Sequence, residues 1–246
     1  MKIYDCTTFY SEHMMLDARF HILDKHVEKF IVTEATYSHS GIKRFNSIKR
    51  IELSYDYMQN AIENIAEDDL VILSDNDEIP NLNSKQFQSC TRNVILFKQL
   101  LFYYKFNLHY DLMPWFGSKA CKKKSLKSFS WLNNLKAKKY PFWRIDTYFS
   151  KNKLNNLEII EDGGWHFTNL KSPEDLFEKF KNFGHHDEFE NSGISVEMLK
   201  NYIDQGIVFY NHFLDQKNPN KWKNNYSLKK IDDQLLPKYL IENKLK

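Results

Sequence analysis

The chain has 246 residues and a formal charge of +3, enough for one sizeable domain or two small ones and too little charge to demand a polyanionic partner. Hydrophobic residues make up 42% and aromatics 15%, so a substantial core is expected. No stretch approaches the roughly 20 consecutive apolar residues of a membrane span. The opening MKIYDCTTFYSEH puts Asp5 and polar residues where a secretory signal needs an apolar run, so a soluble cytoplasmic protein is expected. Cys6, Cys90 and Cys121 stand far apart, which points to neither a disulfide framework nor a zinc knuckle.

In chain order, Lys2 to Cys6 reads as a first strand. Ser11 is placed to cap a helix through His26, with Met14, Met15, Ala18, Ile22 and Leu23 on one face. Lys29 to Thr33 reads as a second strand ending at Glu34. Tyr55 to Ile65 then carries Tyr57, Met58, Ala61, Ile62 and Ile65 at helical spacing. Leu70 to Ser74 is a short apolar run that breaks into Asp75-Asn76-Asp77-Glu78, as a buried strand of an α/β sheet would. This β-α-β-α-β order predicts a mostly parallel α/β domain.

Strand alternation would put Asp75 and Asp77 on one side with Asn76 opposed, at the carboxyl end where open α/β sheets bind ligands. Two carboxylates there suit Mg²⁺ or Mn²⁺ together with substrate phosphates. The bland alternative is an acidic turn closed by Pro80. Further on, Val94 to Phe106 reads as one long or two short strands, and Pro141 to Phe149 and Leu157 to Ile160 as others. Ser172-Pro173-Glu174-Asp175 opens a helix burying Leu176, Phe177, Phe180 and Phe183. Ser195 to Gln205 and Leu236 to Lys244 are further helices.

Two other segments carry chemistry. In Glu161-Asp162-Gly163-Gly164-Trp165-His166, acids lead into a Gly-Gly turn where backbone can approach a ligand. Trp165 could wall a sugar ring and His166 could hold a metal or donate a hydrogen bond; taken alone, the segment reads first as a tight turn with a core Trp and a satisfied His. His185-His186-Asp187-Glu188 follows the Ser172 helix and could complete a metal site, or be polar surface. A basic section from Lys119 to Lys139 reads as a solvated face, or as contact with phosphate or an anionic membrane surface. No G-x-G-x-x-G, G-x-x-x-x-G-K or G-x-S-x-G is present, against dinucleotide enzymes, P-loop kinases and α/β-hydrolases.

Together these segments resemble glycosyltransferase family 17. KIYDCTTFYSEHMMLDARF resembles the family's opening, with Asp5, Glu12 and Arg19 on recurrent positions. FIVTEATYSHSG resembles its strand ending in Glu before a Ser-Gly turn, giving Glu34, Ser40 and Gly41. ILSDNDEIP is similar to its Asp-Val-Asp-Glu-Ile-Pro motif. DGGWHFTNL and KFKNFGHHDEF resemble its Gly-Trp-His-Phe and Phe-x-His-x-Glu segments, and LPKYLIENK its closing helix. The region after the Ser-Gly turn is shorter than usual, Asn60 stands in Gln59-Asn60 where the family often has Gln-Arg, and Asp187 replaces a Glu.

The resemblance implies a GT-A fold in one domain, with residues 1–80 as the nucleotide-binding half and 81–246 as the acceptor-binding half. It implies inverting transfer of a sugar, N-acetylglucosamine from UDP-N-acetylglucosamine, onto a glycan, with no nucleic acid involved. Asp75, Asp77, His166 and His185 would serve Mn²⁺ or Mg²⁺. Glu12, Arg19, Glu34, Asp75, Asn76 and Arg144 would contact the donor. Inversion needs a carboxylate to deprotonate the acceptor, with Asp162 first and Glu161 or Asp187 as alternatives. The rivals are a haloacid-dehalogenase-type phosphatase with Asp75 as nucleophile, and a non-catalytic carbohydrate- or nucleic-acid-binding module.

Overall fold

A computed structural model describes residues 1–9, 12–34, 47–141, 143–145, 149–181, 189, 191–214, 218 and 220–243. Strand β1 (Ile3–Phe9) leads to helix α1 (His13–Leu23), β2 (Lys29–Glu34), α2 (Ser47–Ala61) and β3 (Leu70–Asp75). Next come β4 (Glu78–Pro80), α3 (Lys85–Gln88), β5 (Val94–Phe97), β6 (Leu100–Tyr103), β7 (Leu108–His109), β8 (Lys119–Lys122) and α4 (Phe129–Asn133). The last third holds β9 (Glu158–Ile160), β10 (Gly164–Thr168), α5 (Pro173–Lys181), α6 (Val196–Gln205), β11 (Ile207–Val208), β12 (Tyr226–Ser227), β13 (Lys229–Lys230) and α7 (Lys238–Glu242).

The first sheet has the order β2-β1-β3-β8-β5-β9, parallel throughout except for β8. Inner strands β3 and β5 are apolar on both faces, as sheets covered on both sides require. On β3, Leu70 and Ile72 join a core shared with α1, while Val71 and Leu73 join the opposite core with Met58 and Ile62 from the α2 side and Phe129 and Leu132 of α4. The expected mostly parallel α/β sheet flanked by helices is what forms. It takes three strands from each side of residue 80.

A second sheet, β13-β7-β6-β10-β4, stands beside the first. One face shares the α1 core through Phe102 and Phe167. The other packs Leu101 and Tyr103 against Leu176 of α5 and Leu199 of α6.

Several sequence expectations change. Val94 to Phe106 divides between the two sheets, breaking at Lys98-Gln99. Pro141 to Phe149 forms no strand at its described positions. Glu12 takes the cap position of α1, and Ser11 and Phe183 lie outside the described residues. Pro80 does not close a turn; it lies in β4, an edge strand, where a missing N–H is tolerated. Among the described residues no helix is long and apolar enough to cross a membrane.

Candidate active site

Strand β3 is buried until Asp75, which surfaces at the carboxyl edge of the first sheet. There the chain turns through Asn76-Asp77 and enters β4 at Glu78. The expected strand alternation therefore stops at Asp75, and the two aspartates share a turn rather than a strand face. Glu78 folds back under that turn. Its carboxylate accepts the Asp75 N–H at 2.9 Å and the Trp115 indole N–H at 2.5 Å. Gly117 makes room for it, because a Cβ there would stand 1.9 Å from the Glu78 carboxyl group.

Arg19 fixes the same turn from inside. It is fully buried, bonds both oxygens of Asp5 at 2.7 and 2.5 Å, and donates to the carbonyls of Asp75 (3.2 Å) and Glu78 (2.6 Å). The expectation of a phosphate contact is corrected, since the guanidinium is enclosed and committed to these internal acceptors. Glu12 lies alongside: its carbonyl accepts from Asn76 Nδ2 at 3.1 Å, and its carboxylate pairs with Lys171 at 3.2 Å.

The electrostatics concentrate negative charge. Glu78 first, then burial and Asp77, push the Asp75 carboxyl up to about 7. Asp75 keeps solvent access, so crowding by neighbouring acids is the cause we weigh most. For Asp77, burial would raise the carboxyl, but His166 with its Nε2 at 3.5 Å outweighs that and holds it below the usual range. Burial lowers the His166 imidazole, and Asp77 overcomes this to raise it. The His166 ring packs on Trp115 at 4.6 Å, and its Nδ1 is buried without a partner, as is Asn76 Oδ1.

Asp75 and Glu78 also line a cleft of about 240 Å³ with Thr8, Tyr55, Lys119 and Asn133. Lys119 is only 7% exposed, donates to the carbonyls of Asn133 and Leu135, and is lowered by burial. The sequence reading had placed Lys119 on a solvated basic face, and missed Glu78, Trp115 and Tyr55. A clue to Lys119 was its place at the head of the short run Lys119-Ala120-Cys121.

The other expected site residues scatter. Glu161 pairs with Lys98 at 2.6 Å, and Asp162 accepts from Asn81 at 2.9 Å, both past the end of β9. Asp162 thus stands beside Asn81, four residues along from Asp77, and Glu161 beside Lys98, so the contacts of both acids lie away from the Asp75–Asp77 turn. Glu34 ends β2, two positions from β3 in the first sheet. Arg144 lies over the Tyr140 ring at 5.7 Å, in the segment between α4 and β9. His185, Asp187, Ser40 and Gly41 lie outside the described residues. Among the described residues no three His, Cys, Asp or Glu side chains gather in a group that could hold a metal ion.

No family model matches the chain, and no curated protein does. Among solved structures, it is similar to a glycosyltransferase involved in glycosylation of the major capsid of PBCV-1. That match has a TM-score of 0.30 and 11% identity, over 51% of this chain. The chain spans 62% of that structure's length. HddC from Yersinia pseudotuberculosis is another, with a TM-score of 0.26 and 11% identity over 65% of this chain and 71% of that one. At these scores the likeness decides neither fold nor activity.

Proposed function

We propose that the chain is an inverting, divalent-metal-dependent glycosyltransferase of the GT-A type, moving N-acetylglucosamine from UDP-N-acetylglucosamine onto a glycan. The observation that carries this reading is the crowding of Asp75, Asp77 and Glu78 at one strand end, with Asp75 pushed up to about 7. Such an excess of carboxylate fits a hard cation. Its remaining oxygens would come from substrate phosphates and water. Asp77 and Asp75 would hold Mn²⁺ or Mg²⁺, which would offset charge on the departing diphosphate.

The chain's own residues do the rest. Arg19 and Glu78 hold the turn, so the aspartates are presented without reorganisation. His166 orients Asp77 by its 3.5 Å contact. The cleft with Tyr55, Lys119 and Asn133 gives the donor a polar wall. A carboxylate must still take the acceptor proton. Asp162 is the first candidate, with Glu161 and Asp187 as the alternatives.

The test is hydrolysis or transfer from UDP-N-acetylglucosamine with Mn²⁺. Activity should disappear with chelator and fall at least 100-fold in Asp77→Ala. Full turnover in that variant would sink the metal assignment. Phosphate release from simple esters without any nucleotide sugar would favour the phosphatase instead.

A further inference from the structure

Strand β10 carries His166 and then, two residues on, Thr168. Alternation puts both side chains on the same face of the second sheet, about 7 Å apart. Thr168 pairs with Tyr103 of β6, and beside them lies a second cavity of about 210 Å³. That is smaller than the roughly 300–1,000 Å³ of sites for drug-sized ligands, so its natural content is a single ring.

The lining defines the ring's chemistry. Phe180, Tyr210 and Trp222 supply aromatic surface, the walling that apolar faces of sugars favour. Among the described residues the lining carries no carboxylate, and its lysine, Lys179, already donates to Asn169 Oδ1 at 3.2 Å and lies 3.9 Å from the Glu12 carboxylate, so the described lining selects neither a cation nor an anion. Burial, His166 and Lys221 lower His212 to about 4, leaving it neutral near pH 7. Trp222 is 9% exposed, and its indole N–H is buried without a partner. An unsatisfied buried donor is costly until an acceptor reaches it, and a ligand hydroxyl is such an acceptor.

We propose that this cavity binds one neutral hexopyranose ring, and, resting on the transferase reading, that the ring is the terminal sugar of the acceptor. Its place on the His166 face puts an acceptor hydroxyl one step along β10 from the Asp77–His166 pair. The donor cleft lies on the Asp75 side of the same turn.

Saturation-transfer NMR on the full chain tests this. The probes are the methyl glycosides of glucose, galactose, mannose and N-acetylglucosamine, each with and without UDP and Mn²⁺. At least one should receive magnetisation and keep its affinity when UDP is added. Trp222→Phe keeps the aromatic wall and removes the N–H, and should weaken binding about fivefold. Tyr210→Ala, at a half-buried position, should weaken it about tenfold and serves if the tryptophan variant misfolds. No transfer to any glycoside, displacement by UDP, or unchanged affinity in these variants overturns the proposal. Glycoside binding by a chain that hydrolyses no nucleotide sugar keeps the sugar site and removes the transferase reading. Donor hydrolysis without glycoside binding does the reverse.

Discussion

Gly117 is defined by its neighbour. Any side chain there would meet the Glu78 carboxyl group, which already receives the Asp75 N–H and the Trp115 indole. Gly117→Ala must therefore push a buried acid off two donors. A loss of about 1–3 kcal/mol is expected, read as a lower urea midpoint. Donor turnover should fall more steeply than stability, because the Asp75 turn rests on that carboxylate. Unchanged turnover would show that Glu78 has no part in holding the turn. No sequence pattern advertised this pair, since the two positions lie 39 residues apart and meet only when β4 and β8 take their places.

Between elements, Arg19 ties α1 to the interior of β1 and to the carboxyl end of β3. Arg19 forms a fully enclosed pair with Asp5, and its remaining contacts are backbone carbonyls of the acidic turn. Arg19→Ala leaves Asp5 buried and unpaired, at an expected loss of about 3–5 kcal/mol in equilibrium denaturation. The double variant Arg19→Met, Asp5→Leu should recover much of that, since no lone charge is left inside. Recovery of stability without donor turnover would separate the fold's need for this pair from the site's. The sequence made Arg19 conspicuous but could not say which way it pointed. The same blindness affects Val94 to Phe106: a largely apolar run shows burial on both faces, not a change of sheet. The interrupting Lys98-Gln99 was the readable sign. Leu70 to Ser74 was legible because length, apolar character and an acidic stop all agreed, whereas the turn at Asn76-Asp77 depends on Glu78 and Arg19 bonding beneath it.

At the scale of the molecule, charge is more evenly matched than the linear sequence suggests. Lys122 and Lys124 lie within ion-pair range of Asp68, and Lys123 of Glu67, so the basic run is partly neutralised by the loop before β3. An acid-sensitive group among the described residues is His212, set among Tyr103, Tyr110 and Tyr210. Its folded value of about 4 lies below the ordinary 6.5. Its contribution to stability is therefore complete above pH 6.5 and is lost as pH falls through 4, because the unfolded chain takes the proton first. Urea denaturation at pH 7 and pH 4.5 should differ by about 2 kcal/mol more in the native chain than in His212→Gln. An equal pH dependence in the two would remove His212 as the cause.

Where the two sheets meet, four polar residues satisfy one another. Ser74 donates to Ser118, Gln99 bonds Ser118 through both side-chain ends, and the Ser118 hydroxyl reaches the carbonyl of Glu78. Ser118 is the hub: without it Ser74 loses its acceptor and the Gln99 side chain keeps only the carbonyl of Trp165, while the Glu78 carbonyl still has Arg19. For protein engineering, this makes the junction a graft unit. A chimera that exchanges the second sheet has to carry Ser74, Gln99 and Ser118 together, with a backbone carbonyl in the place of that of Glu78, or buried polar groups are left unpaired at the seam.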